Sequence, residues 1–75
     1  MIKEHDIVVL DLEIPGKPLV KGDIGTVIHI FPNAAAYLVE FNTLDGEEVA
    51  IIELAPSHVR SVQPNEIRHV RALAA

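Results

Sequence analysis

The sequence has no cysteine and no tryptophan, and its aromatics are one tyrosine and two phenylalanines. Without cysteine there can be no disulfide and no thiolate zinc site. With so few aromatics there is no ring-lined groove of the kind that reads polyproline. Cations are also scarce: six lysines and arginines face eleven acidic residues, for a net charge of −5. The imbalance is uneven. Residues 1–56 carry three lysines against ten acids, a balance of −7, while residues 57–75 carry three arginines against Glu66, a balance of +2. An acidic body repels phosphate backbones, which disfavours nucleic acid as its partner. No apolar run approaches the roughly 20 residues that span a bilayer, so no membrane contact is expected. Lys3, Glu4, His5 and Asp6 interrupt the start, so no signal peptide is expected and the chain reads as cytoplasmic.

What is present is aliphatic. The 75 residues suffice for one domain, and 49% of them are apolar, mostly valine, isoleucine, leucine and alanine. A chain this short buries only about 60% of its unfolded surface, so it needs a well-packed core or a partner chain. Five β-rich runs stand out: 6–12, 24–31, 36–42, 47–54 and 59–62. Asp45-Gly46 signals a tight hairpin. Residues 13–22, EIPGKPLVKG, form one long loop in which Ile14 and Leu19 can fold back onto the mouth of the structure. Pro56-Ser57 suits one helical turn before the last strand. Short strands, a long first loop and a distal hairpin predict an all-β fold, an SH3-like (KOW-type) five-stranded small barrel over residues 1–62. Residues 63–75 form a helical or frayed tail: Asn65 could cap a helix with Glu66 in its first turn, and Ile67, Val70 and Leu73 or Ala74 would share one face.

The stretch KGDIGTVIHIF at 21–31 raises a choice between a phosphate loop and a turn into a strand. A phosphate loop needs glycines that feed a helix N-terminus. Thr-Val-Ile-His-Ile-Phe is a strand, so the turn reading holds. Gly22 permits positive φ, Asp23 can bond nearby backbone N–H groups, and Gly25 permits close backbone approach or a bulge.

GDIGTV, then YLVEF, a DG turn and a closing L-x-x-S-x-V-R-x-V pattern resemble a small bacterial family known only as a domain of unknown function. The resemblance covers about residues 5–62 and rests on Asp6, Val8, Leu10, Gly22, Asp23, Gly25, Thr26, Val27, Tyr37, Val39, Glu40, Phe41, Asp45, Gly46, Leu54, Val59 and Arg60. It implies a stand-alone KOW/SH3-like barrel and brings no catalytic residues. The pattern is more loosely similar to the SH3-like barrel of the nitrile hydratase β-subunit, which packs against a metal-bearing partner.

Strand periodicity separates two faces. The core set is Val8, Leu10, Val27, Ile30, Tyr37, Val39, Phe41, Ala50, Ile52, Leu54 and Val59; having Val27 and Ile30 both inward requires a bulge in the second strand. The opposite set, Ile7, Val9, Ile28, Leu38, Val49 and Ile51, predicts an apolar patch outside the barrel, and such patches mark interfaces.

Chemistry is sparse by comparison. His5, His29, His58 and His69 show no local metal-ligand spacing, and Ser57 and Ser61 have no glycine elbow. Asp45, Glu47 and Glu48 read as a solvated turn, and Glu40 and Glu53 as exposed carboxylates that pair with Arg60 or a lysine. No catalytic residue, metal or cofactor is expected. The expectation is a non-catalytic protein–protein interaction module that self-associates as a homo-oligomer or caps a partner protein, in the manner of an antitoxin or immunity subunit. One alternative is a KOW-type nucleic-acid binder using Arg60, Arg68 and Arg71. The other is an accessory barrel of a metal enzyme.

Overall fold

Runs of β-branched residues closed by Pro, Gly and Asn form strands where the alternation places them. The computed structural model describes residues 1–73. Its strands are β1 (Ile7–Leu10), β2 (Ile24–Ile30), β3 (Tyr37–Asn42), β4 (Glu48–Leu54) and β5 (Val59–Ser61). They make one antiparallel sheet in the order β4-β3-β2-β1-β5. Pro56–His58 forms a single 3-10 turn before β5, as expected, and Pro32–Ala34 forms another between β2 and β3.

The expected barrel is not closed. β4 pairs only with β3, and β5 only with β1, so the sheet has two edges among the described residues. The physical reason is the length of β5: its three residues are used up on β1. The sheet nevertheless curls. Five residue steps from Leu54 to Val59 reach at most about 18 Å. A flat five-stranded sheet would set its edges about 19 Å apart.

The concave side holds the core. Val8, Leu10, Val27, Tyr37, Val39, Phe41, Ala50, Leu54 and Val59 are buried there, and Ile30 and Ile52 pack against them. Leu19, from the long loop, is buried with them, and a bridge between Ile14 and Leu19 closes that loop over the core. Ile2 and Leu12, outside the expected set, also pack against it.

Two irregularities set the register. In β2, Val27 pairs with Val39 and His29 with Leu38, which leaves Ile28 as the extra residue of a bulge. This is the bulge that placing Val27 and Ile30 on one face demanded. In β4, Phe41 pairs with Ala50 and Asn42 with Glu48, so Val49 is a second, unforeseen bulge. The Asp45-Gly46 hairpin closes through Thr43: Gly46 N–H donates to the Thr43 carbonyl at 3.0 Å, and Thr43 N–H to the Glu47 carbonyl at 2.8 Å. Gly46, at φ 93°, takes the left-handed position that such loops require.

The expected C-terminal helix is absent from the described residues. Residues 62–73 carry one turn, at Pro64-Asn65, and are otherwise irregular; Ala74 lies outside the described residues. The segment is too short to nucleate a helix cheaply, and its acid is spent elsewhere. Glu66 accepts from Gln63 N–H at 2.7 Å and from Arg60, which closes a turn instead of opening a helix.

Gly25 has no room for a side chain. A Cβ there would lie 2.6 Å from Val39 Cγ1, 2.8 Å from Phe41 Cε1 and 3.1 Å from the Glu40 carbonyl oxygen. Val39 and Phe41 are themselves buried and cannot retreat. Gly25→Ala therefore costs about 1–3 kcal/mol through overpacking, read from the urea midpoint. An unchanged midpoint would contradict the close approach.

Candidate interaction face

The convex side presents the residues expected to form an apolar patch, and the register shows how they are arranged. One cross-strand row runs Ile51, Glu40, Thr26, Ile7. The next brings Ile24, Val9 and Arg60 together across β2, β1 and β5. Ile7 and Ile51 are 51% and 44% exposed. Leu38 is half-buried and pairs with His29 and Glu53.

Three members of the expected patch need correction. Val9 is buried, only 6% exposed, because Ile24 and Arg60 flank it directly on the same face. Ile28 and Val49 are the two bulge residues; both are half-buried, and Val49 packs against the edge of the core. Glu40 and Thr26 stand between Ile51 and Ile7, so the patch is divided into a β1–β2 half and a β3–β4 half.

The β1–β2 half gains what the strand pattern did not supply. Ile24 and Val62 are exposed beside Ile7. The C-terminal segment brings Ile67, Val70 and Leu73 alongside, and together these side chains line one open groove of about 1420 Å³. Two arginine–carboxylate forks hold the segment there. Arg60 donates to Glu66 through two nitrogens, at 2.9 and 2.7 Å. Arg71 donates through Nε to Asp23 Oδ1 at 2.8 Å, through Nη2 to Asp23 Oδ2, and through Nη2 to the Pro18 carbonyl at 2.8 Å. Paired forks of this kind fix geometry as well as charge.

Asp23 is the joint between sheet and segment. Its carboxylate accepts from Val20 N–H at 2.8 Å while its own N–H donates to the Val20 carbonyl at 3.1 Å. Gly22, at φ 99°, occupies the third position of that turn. Its backbone N–H donates to the Leu10 carbonyl and so registers β1. The same device recurs twice: Asp6 closes a turn on Lys3, and Glu66 closes one on Gln63. An acid three residues after a turn's first residue is a local signal. The partnership of Asp23 with Arg71, 48 residues away, has none.

The electrostatics keep these groups charged. Burial pushes the Asp23 carboxyl up, but the Arg71 fork and the Val20 N–H outweigh it, and the net shift is downward. The Arg60 fork and the Gln63 N–H hold Glu66 at about 2, against an ordinary 4.5. The Thr43 hydroxyl and the Glu47 N–H lower Asp45. Arg60 and Arg71 shift up through Glu66 and Asp23. Every resolved shift favours the form present at neutral pH, which suits ties between segments and not proton transfer.

Other expected chemistry stays dispersed. Among the described residues no three His, Cys, Asp or Glu side chains gather as a metal site. His29 is exposed, 3.7 Å from Glu4, with its ring edge-on to Phe31. Arg60, expected to meet Glu40 or Glu53, pairs with Glu66 instead. Of the arginines considered for nucleic acid, Arg60 and Arg71 are therefore neutralised within the chain.

Fold and face define a small all-β antiparallel-sheet domain with a partly covered apolar side. Residues 4–61 match the family described as Domain of unknown function (DUF4926), and the chain belongs to that family. The matched region ends at Ser61, where β5 ends, and excludes the C-terminal segment. Neither the curated proteins nor the solved structures contain a match to the chain.

The two carboxylates that hold the segment, Asp23 and Glu66, titrate lower in the folded chain than in the unfolded one. Their contribution is complete above the ordinary carboxylate range and is lost as pH falls through the folded values. The C-terminal segment should thus stay ordered at about pH 4, loosen at its Glu66 end as that carboxylate protonates at about 2, and detach only when Asp23 is protonated as well. Amide relaxation of residues 67–73, followed by NMR during acidification, reads this directly. Mobility already complete at about pH 4 would contradict the ties.

Proposed function

We propose that the chain is a non-catalytic protein-interaction module, an SH3-like frame whose convex face docks another protein chain. The long first loop closed over the core, the curl of the sheet and the 3-10 turn before β5 support the SH3-like reading. One observation carries the docking reading. Ile7, Ile24, Val62, Ile67, Val70 and Leu73 are all exposed, and all line the same groove. Scattered apolar side chains on a surface mean little, but a contiguous set around a concavity marks an interface. The face is also flanked by the Arg60–Glu66 and Arg71–Asp23 pairs, which offer a partner a polar rim.

The experiment places a photo-cross-linking side chain at Ile7, and separately at exposed Asn33 outside the groove, in the full chain expressed in cells. Cross-linked products should form from position 7 and not from position 33. Equal yields from the two positions remove the reading. In parallel, Ile7→Glu should change folding stability by no more than about 0.5 kcal/mol, because the side chain already stands half in water. The same substitution should abolish the cross-link formed from a probe at Ile24.

A further inference from the structure

We propose that the occupant of the groove is a second copy of this chain, related by a two-fold axis, with Ile67 and Val70 of each copy entering the groove of the other. This rests on the docking reading above and names its partner. Three observations converge on it.

The first is shape. The face carries both a projection and a recess. Ile67 and Val70 line the groove together with Ile7, Val9 and Ile24, yet stay 94% and 71% exposed. The chain cannot fill this recess with its own segment. Glu66 is tied to Arg60 at one end and Arg71 to Asp23 at the other, so the span between them is held at both ends and leaves its side chains in water. A two-fold axis brings the projection of each copy to the recess of the other, which is the self-complementarity that an isologous interface requires.

The second is charge. Two copies of a chain at −5 repel each other, so they can meet only where the surface is neutral. The groove is that place. Its lining holds four carboxylates, Asp23 and Glu66 among them, and four lysine and arginine cations, Arg71 and Arg60 among them. The excess acid of the chain lies elsewhere, on residues such as Glu47, Glu48 and Glu53. A strongly basic partner would find a better match there than at this balanced face.

The third is extent. Ile7, Ile24, Val62, Ile67, Val70 and Leu73 stand around one groove, a contiguous apolar set of the kind that marks an interface.

The test uses the full chain. Light scattering across a dilution series from about 1 mM to about 1 μM should give the mass of two chains at the top and of one at the bottom. Val70→Glu, at a site exposed in the single copy, should keep the thermal midpoint of the parent chain at about 1 μM, where both are single chains, and weaken dimerisation at least about tenfold. Ile51→Glu, on the other half of the convex side, should leave dimerisation unchanged. In a mixed sample of two isotope labels, Val70 methyls of one copy should show contacts to Ile7 and Ile24 methyls of the other. A single-chain mass at every concentration overturns the proposal, and so does a dimer that Val70→Glu leaves intact. The two readings separate cleanly. A single-chain mass with cross-linking from Ile7 to a different protein removes the second copy and keeps the docking face; no cross-linking at all removes both.

Discussion

The structure depends on the absence of a single carbon atom. At Gly25 the side chains of Val39 and Phe41, on the neighbouring strand β3, lie where a side chain on β2 would begin. That approach lets the buried side chains of β3 close over β2 in an aliphatic core with no tryptophan and few rings to fill it. Curling creates the concave side, and the concave side takes every fully buried large side chain: Leu10, Val8, Val27 and Val39. The convex side then faces water with residues that are almost as apolar. A short chain can keep such a surface only if something offsets its exposure.

Asp23, two residues earlier, links that geometry to the C-terminal segment. One carboxylate closes the turn into β2 and receives the guanidinium of Arg71. The backbone of Gly22 and Asp23 meanwhile bonds to Leu10 in β1. The same few residues therefore set the strand register and anchor the segment beyond the sheet. Glu66 does related work at the other end of that segment, with Arg60 of β5 as its partner. The chain is thus tied across its convex side by charge and not by packing. Exposed ion pairs hold position without excluding water, and the aliphatic side chains between them stay wet. A surface of this kind is oriented but unfilled, which is the state expected of a docking face before its partner arrives.

The distribution of charge follows the same division. The arginines beyond residue 56 look in sequence like a basic tail on an acidic body. In the folded chain two of them turn inward to Asp23 and Glu66, and the basic character is largely cancelled. What remains is a neutral convex groove on an otherwise acidic molecule. Cancellation of that kind disfavours a polyanion as ligand and favours an apolar surface.

Much of this was legible in the residues. Alternation of β-branched side chains determined the five strands and the composition of the core, and the need to turn Val27 and Ile30 the same way determined a bulge in β2, which the fold places at Ile28. Gly22, Asp23 and Gly25 declared a turn and a close approach through chemistry that acts within a few residues. Tertiary structure alone decided the rest. The bulge at Val49, the burial of Val9 between Ile24 and Arg60, and the open edge at β5 depend on which strands lie side by side. A helix was the local preference of residues 66–73, and distant partners overrode it. Asp23 and Arg71 meet because the fold carries them together, and no periodicity or spacing in a linear chain encodes a contact between residues so far apart.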